Sequence, residues 1–543
     1  MTHPRDVTPP PDLARARPLA GPIRERRPVY VDLLPPCNAG CPAGENIQAW
    51  LAHATAGRHE AAWRQLVADN PFAAVHGRVC YHPCESVCNR ARLDSAVSIH
   101  AVERFLGDLA RERGWTFEVS AAPTGRRVLV VGAGPSGLSA AYHLAMLGHQ
   151  VEVRDAGPLP GGMMRYGIPS YRLPRDVLDA EVDRIAALGV RLTGDHRVDD
   201  LAAERADGDF DAVFVAVGAH LAKRVDVPAR DAGPMLDAVA FLHDVADGAA
   251  PTLGRHVAVY GGGNTAMDAA RVARRLGARD TVVVYRRTRE QMPAHPREAA
   301  DAEREGVRIN WLRTVTALDG PELTVEVMEL DESGYPRPTG RTETLEADTL
   351  IMALGQETES GFMRTLPGVA FDADGAVCVT ETLMTGCPGV FAGGDMVPGE
   401  RTVTVGVGHG RKAARHIDAW LRSQPLARTP KHPVAEFDGL RPWYFGDAAR
   451  RHQPELAPQA RLDGFAEVVG GLTPEQANFE AARCLSCGNC VECDGCLGAC
   501  PEGAVIKLGA GHRYEFDYDA CTGCGICAEQ CPVHAIDMFP EPT

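Results

Sequence analysis

"RRVLVVGAGPSGLSAAYHLAMLGHQVEVRD", residues 126–155, runs from a short apolar stretch through a glycine turn into a helical stretch and a second apolar stretch that ends in an acid. That order and spacing describe one βαβ unit. Gly132 permits the tight turn, Gly134 lets backbone approach a pyrophosphate, and Gly137 lets helix and strand pack closely. The helix N-terminus then faces the phosphates and Asp155 reaches a ribose hydroxyl. Glycine spacing alone is a weak signal, but strand, helix and acid all fall where a dinucleotide needs them.

The pattern recurs at 255–287, "RHVAVYGGGNTAMDAARVARRLGARDTVVVYRR", with Gly261, Gly263 and Ala266 in the same three places. Here the second strand ends in Arg286 and Arg287 instead of an acid. Arginine accommodates a 2′-phosphate that a carboxylate would repel, so this half is expected to prefer NADP(H) to NAD(H). "DAVFVAVGA" (211–219) and "DTLIMALGQ" (348–356) read as further apolar strands closing on glycine. In "GVFAGGDMVPGERTVTVGVGHGRKAARHI" (389–417), Gly393, Gly394 and Asp395 end a strand and a helix is expected to begin near Val405 to Gly408. The positive end of that helix would stabilise the anionic reduced form of a flavin ring, with Asp395 on the ribityl chain.

The chain has 543 residues, enough for three or four domains. Its 45% hydrophobic and 24% charged residues are those of an ordinary globular protein, and no apolar run of membrane-spanning length occurs. A formal charge of -16, without a concentrated basic patch, argues against nucleic acid and anionic membranes as partners. The N-terminus is rich in proline and arginine but has no apolar core, so Arg26-Arg27 does not read as an export signal. The expected location is the cytoplasm.

Of seventeen cysteines, fifteen stand in two blocks at metal-ligand spacing, with Cys378 and Cys387 alone between them and expected to be buried and inert. "CVECDGCLGACP" (490–501) and "CTGCGICAEQCP" (521–532) each match C-x2-C-x2-C-x3-C-P, a specific signature of a two-cluster ferredoxin. The fourth cysteine of each run serves the other cluster. Cys490, Cys493, Cys496 and Cys531 therefore make one set, and Cys521, Cys524, Cys527 and Cys500 the other. Cys484 and Cys487 are surplus. Five more, Cys37, Cys41, Cys80, Cys84 and Cys88, flank a helical stretch and suit iron-sulfur better than zinc.

Two dinucleotide units closed by a "GGD" segment resemble the two-dinucleotide flavoprotein disulfide reductases, in which the NAD(P) domain interrupts the FAD domain. "GGMMRYGIPSYRLP" (161–174), "GGGNTAMDAAR" (261–271) and "VYRRTREQMPA" (284–294) narrow the likeness. They resemble the glutamate synthase small subunit family, with relatives in the NADPH half of dihydropyrimidine dehydrogenase and the large subunit of bifurcating ferredoxin:NADP oxidoreductase. The resemblance covers about residues 37–425. It implies FAD at Gly132, Gly134, Gly137, Asp155, Gly162, Met163, Arg172, Gly394 and Asp395, and NADPH at Gly263, Asn264, Thr265, Arg286 and Arg287. It also implies one [4Fe-4S] cluster on Cys41, Cys80, Cys84 and Glu103, and a second on Cys37 and Cys88 with an upstream C-x-x-C pair. Val29 and Asp32 occupy that upstream position here. "EAARCLSCG" (480–488) resembles the missing segment, displaced along the chain, so Cys484 and Cys487 are expected to fold back onto Cys37 and Cys88.

The expected architecture is α/β, with two Rossmann-type domains between a helical iron-sulfur domain and a 2[4Fe-4S] ferredoxin domain. The expected units are a flexible arm (1–28), the helical domain (29–122), the FAD domain (123–250 and 356–425), the NAD(P)H domain (251–355), a tether (426–483) and the ferredoxin (484–543). The cofactors expected are FAD, NADPH and three [4Fe-4S] clusters, with a fourth if the displaced cysteines hold one. The chain then reads as an electron-transfer subunit between NADPH and a ferredoxin or a partner of the glutamate synthase large subunit or 2-oxoacid:acceptor oxidoreductase type. A bifurcating flavin subunit and a non-catalytic ferredoxin-like scaffold are the alternatives. His409, Glu298 and Trp443-Tyr444-Phe445 are expected to pack or face solvent.

Overall fold

The computed structural model describes residues 24–223, 225–230, 233–426 and 432–542. Residues 1–23, most of the expected arm, lie outside them. Helices Ile47–Thr55, His59–Val67, Ala73–Val79 and Ile99–Arg113 form the N-terminal unit around the fully buried Trp50, Trp63, Leu66 and Val102. Each fully buried aliphatic side chain contributes roughly 1.5–3 kcal/mol.

Two parallel five-stranded sheets follow. The first runs Val390–Ala392, Ala212–Val215, Arg127–Val131, Gln150–Arg154, Arg191–Thr193, so its edge strand comes from far down the chain. The second runs Arg308–Trp311, Asp280–Tyr285, His256–Tyr260, Thr349–Met352, Met235–Asp237 and lies inside that interruption. Their strands read as near-continuous Val, Ile and Ala because helices or a further sheet cover both faces. The helix Pro135–Met146 leaves the first sheet, and Asn264–Arg275 leaves the second.

The last part of the segment expected as a tether belongs to the helical unit. Leu472, Ala477 and Ala481 enter its core, and Thr473 caps the helix Pro474–Ala482 in a reciprocal box with Gln476. Arg78 donates to Glu467 and Asp108 at 2.7 Å each, and Arg104 donates to the Val469 carbonyl at 2.6 Å.

The end of the arm is corrected too. Arg26–Tyr30 is a strand paired antiparallel with Ile536–Pro540, the last strand of the C-terminal unit. Tyr30 packs at a tilt against Phe516 with ring centroids 5.3 Å apart, and the Tyr518 hydroxyl donates to the Pro28 carbonyl at 2.9 Å. Cys378 is exposed and Cys387 half-buried, so neither is the buried thiol expected. Trp443 and Tyr444 face solvent at 65% and 46% exposure, whereas Phe445 is half-buried against the C-terminal core.

A buried ion-pair network joins the two dinucleotide units. Arg172 pairs with Asp268 and Glu298 at 2.7 Å each, Arg271 with Glu298 at 3.1 Å and Glu305 at 2.9 Å, and Arg275 with Glu305 at 2.6 Å. Glu298 is therefore structural. Removing one partner from such a network strands the buried charges facing it. Glu305→Ala should lower unfolding free energy by about 3–5 kcal/mol, measured as a reduced midpoint in denaturant.

Candidate functional site

The cleft between the first sheet and the helix Val403–Leu421 has a volume of about 480 Å³. Gly132, Gly134, Asp155, Gly162, Met163, Arg172, Gly394 and Asp395 all line it. Gly137 does not; it lies beneath the turn, where a Cβ would stand 1.8 Å from the Gly132 carbonyl oxygen. Gly132 has φ +102, a conformation that side chains disfavour. Above Gly134 only Gly162 comes within 4.0 Å of a built Cβ, leaving backbone open to a phosphate.

The remaining polar groups suit a flavin nucleotide. Asp155 accepts from the Ala133 and Gly157 amides at 2.6 and 2.8 Å, which holds its carboxylate at the lip of the turn. The Ser136 hydroxyl and the Gln356 amide nitrogen are buried without partners, and both residues line the cleft. Burial pushes the Asp395 carboxyl up to about 6, with Arg401 opposing. His409, read earlier as packing, accepts from the Gly394 amide at 3.1 Å and so shapes that turn. Thr402 caps the Val403–Leu421 helix by accepting from Val405 at 3.2 Å. The helix starts two residues earlier than expected, because the threonine cap stops the chain before the glycines. Arg172 lines the cleft, but its charge is taken by Asp268 and Glu298.

Gly261, at φ +146, and Gly263 turn the chain in the second unit, and nothing lies within 4 Å of a Cβ built on Gly263. Asn264 accepts from the His295 amide at 2.8 Å, and Asn264 and Thr265 also line the flavin cleft. At the end of Asp280–Tyr285, Arg286 is exposed without an ion pair among the described residues, and the half-buried Arg287 has an unpartnered Nε.

The sulfur sites begin beside this cleft. Val79 and Tyr81 line it, so Cys80 between them adjoins it. Burial pushes the Cys84 thiol up, and the charges of Glu85, Cys80, Cys41 and Glu103 push the same way. Glu103 is buried, accepting from Asn70 at 3.2 Å beside His76 and Glu45. That polar group around Glu45, Asn70 and His76 left no mark in the sequence, because its members, with Glu103, come from two helices and two loops. In the C-terminal unit, burial and the charges of Cys490, Cys493 and Cys531 push Cys496 up to about 12. Cys527 is pushed up to about 11 by burial, then by Cys521, Cys524 and Cys500. Burial also raises Cys37, with Cys484, Cys88 and Cys487 adding repulsion. Thiolates gathered this closely away from water need positive charge between them, which iron supplies.

A two-dinucleotide flavoprotein with appended iron-sulfur units is the class these features define. The chain matches the pyridine nucleotide-disulphide oxidoreductase model over residues 126–410, and it belongs to that family. It also matches dihydropyrimidine dehydrogenase domain II, 4Fe-4S cluster, over 33–115 and a 4Fe-4S binding domain over 514–537. It is an NAD(P)H-dependent FAD and iron-sulfur oxidoreductase. Among similar proteins, the NADP(+)-dependent formate dehydrogenase subunit beta of Moorella thermoacetica is 38% identical over 498 residues, 83% of this chain and 70% of that one. The NADPH-Fe(3+) oxidoreductase subunit beta of Geobacter sulfurreducens is 34% identical over 83% of this chain and 75% of its own. The glutamate synthase [NADPH] small chain of Azospirillum brasilense is 33% identical over 74% and 89%. No helix among the described residues is long and apolar enough to cross a membrane.

Gly137→Ala places a methyl against the Gly132 carbonyl and forces the phosphate turn open. The purified variant should carry less FAD per chain than the parent, measured as the flavin-to-protein absorbance ratio.

Proposed function

We propose that this chain exchanges electrons between NADPH and a partner subunit through FAD and iron-sulfur clusters. FAD bound in the cleft would accept the nicotinamide's hydride and release electrons singly. The carrying observation is that Val79 and Tyr81, on either side of Cys80, line the same cleft as the Gly132 turn and Val403, the first residue of the helix whose N-terminus meets it. On this reading the Cys41, Cys80, Cys84 and Glu103 set would lie beside the flavin. Asp155 and the Gly132–Gly137 turn would hold the adenosine and pyrophosphate, and Asp395 the ribityl chain. Asn264 and Thr265 would seat NADPH against the same cleft, with Arg286 and Arg287 on its 2′-phosphate. Three clusters follow on this reading, one on the helical unit and two on the ferredoxin sets.

The three relatives described above are each named as a subunit or chain of a larger enzyme, which supports a catalytic partner. A glutamate synthase large subunit or 2-oxoacid oxidoreductase was expected from sequence, and a formate dehydrogenase catalytic subunit now stands beside them. Anaerobic purification at native level followed by mass identification would name the partner.

Anaerobic NADPH titration tests the chemistry: flavin absorbance should bleach, and cluster paramagnetism should follow. A flavin that stays oxidised refutes the reading. Replacing Arg286 and Arg287 with alanine removes charged hydrogen bonds, each worth about 1.5–3 kcal/mol. The KM for NADPH should rise by about tenfold or more while that for NADH changes little.

A further inference from the structure

Four thiols remain that none of the matched domains holds together. Cys37 and Cys88 belong to the helical unit, whereas Cys484 and Cys487 lie outside both matched iron-sulfur regions. The structure brings all four into one place. Cys37 is buried in the helical core, and Cys88 and Cys484 pack against that core. The turn after the helix Pro474–Ala482 is tied down on both sides: Gln48 donates to the Ser486 hydroxyl at 2.7 Å, and Asn89 donates to Cys487 Sγ at 3.5 Å. The buried Arg483, just before Cys484, pairs with Asp94 at 3.0 Å and Glu480 at 2.9 Å and donates to the Ala96 carbonyl at 3.1 Å. Arg90 in turn donates to the Arg483 carbonyl at 3.1 Å.

The local turn is that of the other sulfur sites. Ser486 takes a left-handed φ of +50 and its amide donates to Cys484 Sγ at 3.4 Å. The same i+2 amide-to-sulfur bond, with a positive φ, occurs at His82 to Cys80 (3.3 Å) and Gly523 to Cys521 (3.4 Å). A left-handed serine costs free energy that this arrangement recovers by directing an N–H at sulfur. The stretch containing Val29 and Asp32, which the family resemblance makes the source of two thiols, is committed elsewhere. Its Arg26–Tyr30 strand pairs with Ile536–Pro540.

We propose that Cys37, Cys88, Cys484 and Cys487 hold a fourth [4Fe-4S] cluster that relays electrons between the flavin-side cluster and the ferredoxin unit. The proposal rests on the electron-transfer reading above. Cys37 and Cys88 are each four residues from a member of the Cys41, Cys80, Cys84 set, and Cys487 is three from Cys490. Four residues span at most about 14 Å, so the tetrad is chained to its neighbours on both sides. The Gly488 amide also donates to the Val533 carbonyl at 2.7 Å, two residues past Cys531. One electron enters from the flavin side and one leaves to the ferredoxin side, with no net change at the site. Both ends of the chain would hold this cluster, so its assembly and the docking of the ferredoxin unit become one event.

The test compares anaerobically purified full-length parent with Cys484→Ser/Cys487→Ser and, on the opposite segment, Cys37→Ser. Iron and acid-labile sulfide are counted, and spectra are taken after dithionite and after NADPH. Each variant should lose about four irons per chain together with one paramagnetic cluster signal. The flavin should still bleach with NADPH, while the ferredoxin clusters, reducible by dithionite, no longer follow NADPH. An unchanged iron count in either variant, zinc at the site in the parent, or ferredoxin clusters that follow NADPH as in the parent overturns the proposal. A parent flavin that does not bleach defeats the electron-transfer reading alone, since the iron count still decides the site.

Discussion

The close seating of the helix Val403–Leu421 is the constraint on which the molecule depends. A Cβ on Gly408 would stand 2.1 Å from the Pro42 carbonyl oxygen, and one on Gly410 would stand 2.2 Å from that of Ser136. These two glycines let one helix lie flush against both the Cys41 loop and the phosphate-binding helix Pro135–Met146. Its first turn meets the cleft, which Val79 and Tyr81 line on either side of Cys80. The cleft and the first cysteine group are thus framed by one rigid element, and their separation cannot drift without breaking a packed interface.

Electrostatics holds the remaining parts in register. Arg271, Arg275 and Glu305 sit where water does not reach, and with the half-buried Arg172 they join the loop that lines the cleft to the nucleotide unit. Arg461, from the segment after residue 432, adds contacts to Glu455 at 2.7 Å and Asp301 at 3.4 Å. Buried pairs of this kind add little net stability over apolar packing, but breaking one is costly, and they suit the task of fixing relative orientation. The connecting segment therefore acts as a strap that crosses the helical unit and reaches the nucleotide unit.

Local patterns were legible wherever the chemistry is local. Gly132, Gly134, Gly137 and Asp155 serve one turn within thirty residues, and the structure arranges them as the spacing implied. The ferredoxin cysteines are equally local, and the charges felt by Cys496 and Cys527 divide into the two interleaved sets. Arg172 lines the cleft, but its ion-pair partners Asp268 and Glu298 are about a hundred residues away and no periodicity announces them. The residues read as a tether show their place only through long-range contacts, with Leu472, Ala477 and Ala481 in the helical core and hydrogen bonds received from Arg78 and Arg104.

By itself, the sequence determined the two dinucleotide units, the arginine pair Arg286-Arg287 that ends the second unit, and the two ferredoxin motifs, since each depends on residues within one turn or one supersecondary unit. Tertiary structure alone decided which sulfur set adjoins the cleft and that Arg26–Tyr30 closes on the last strand. The reason is physical: those contacts join residues hundreds of positions apart, and only the summed packing of the whole chain selects them.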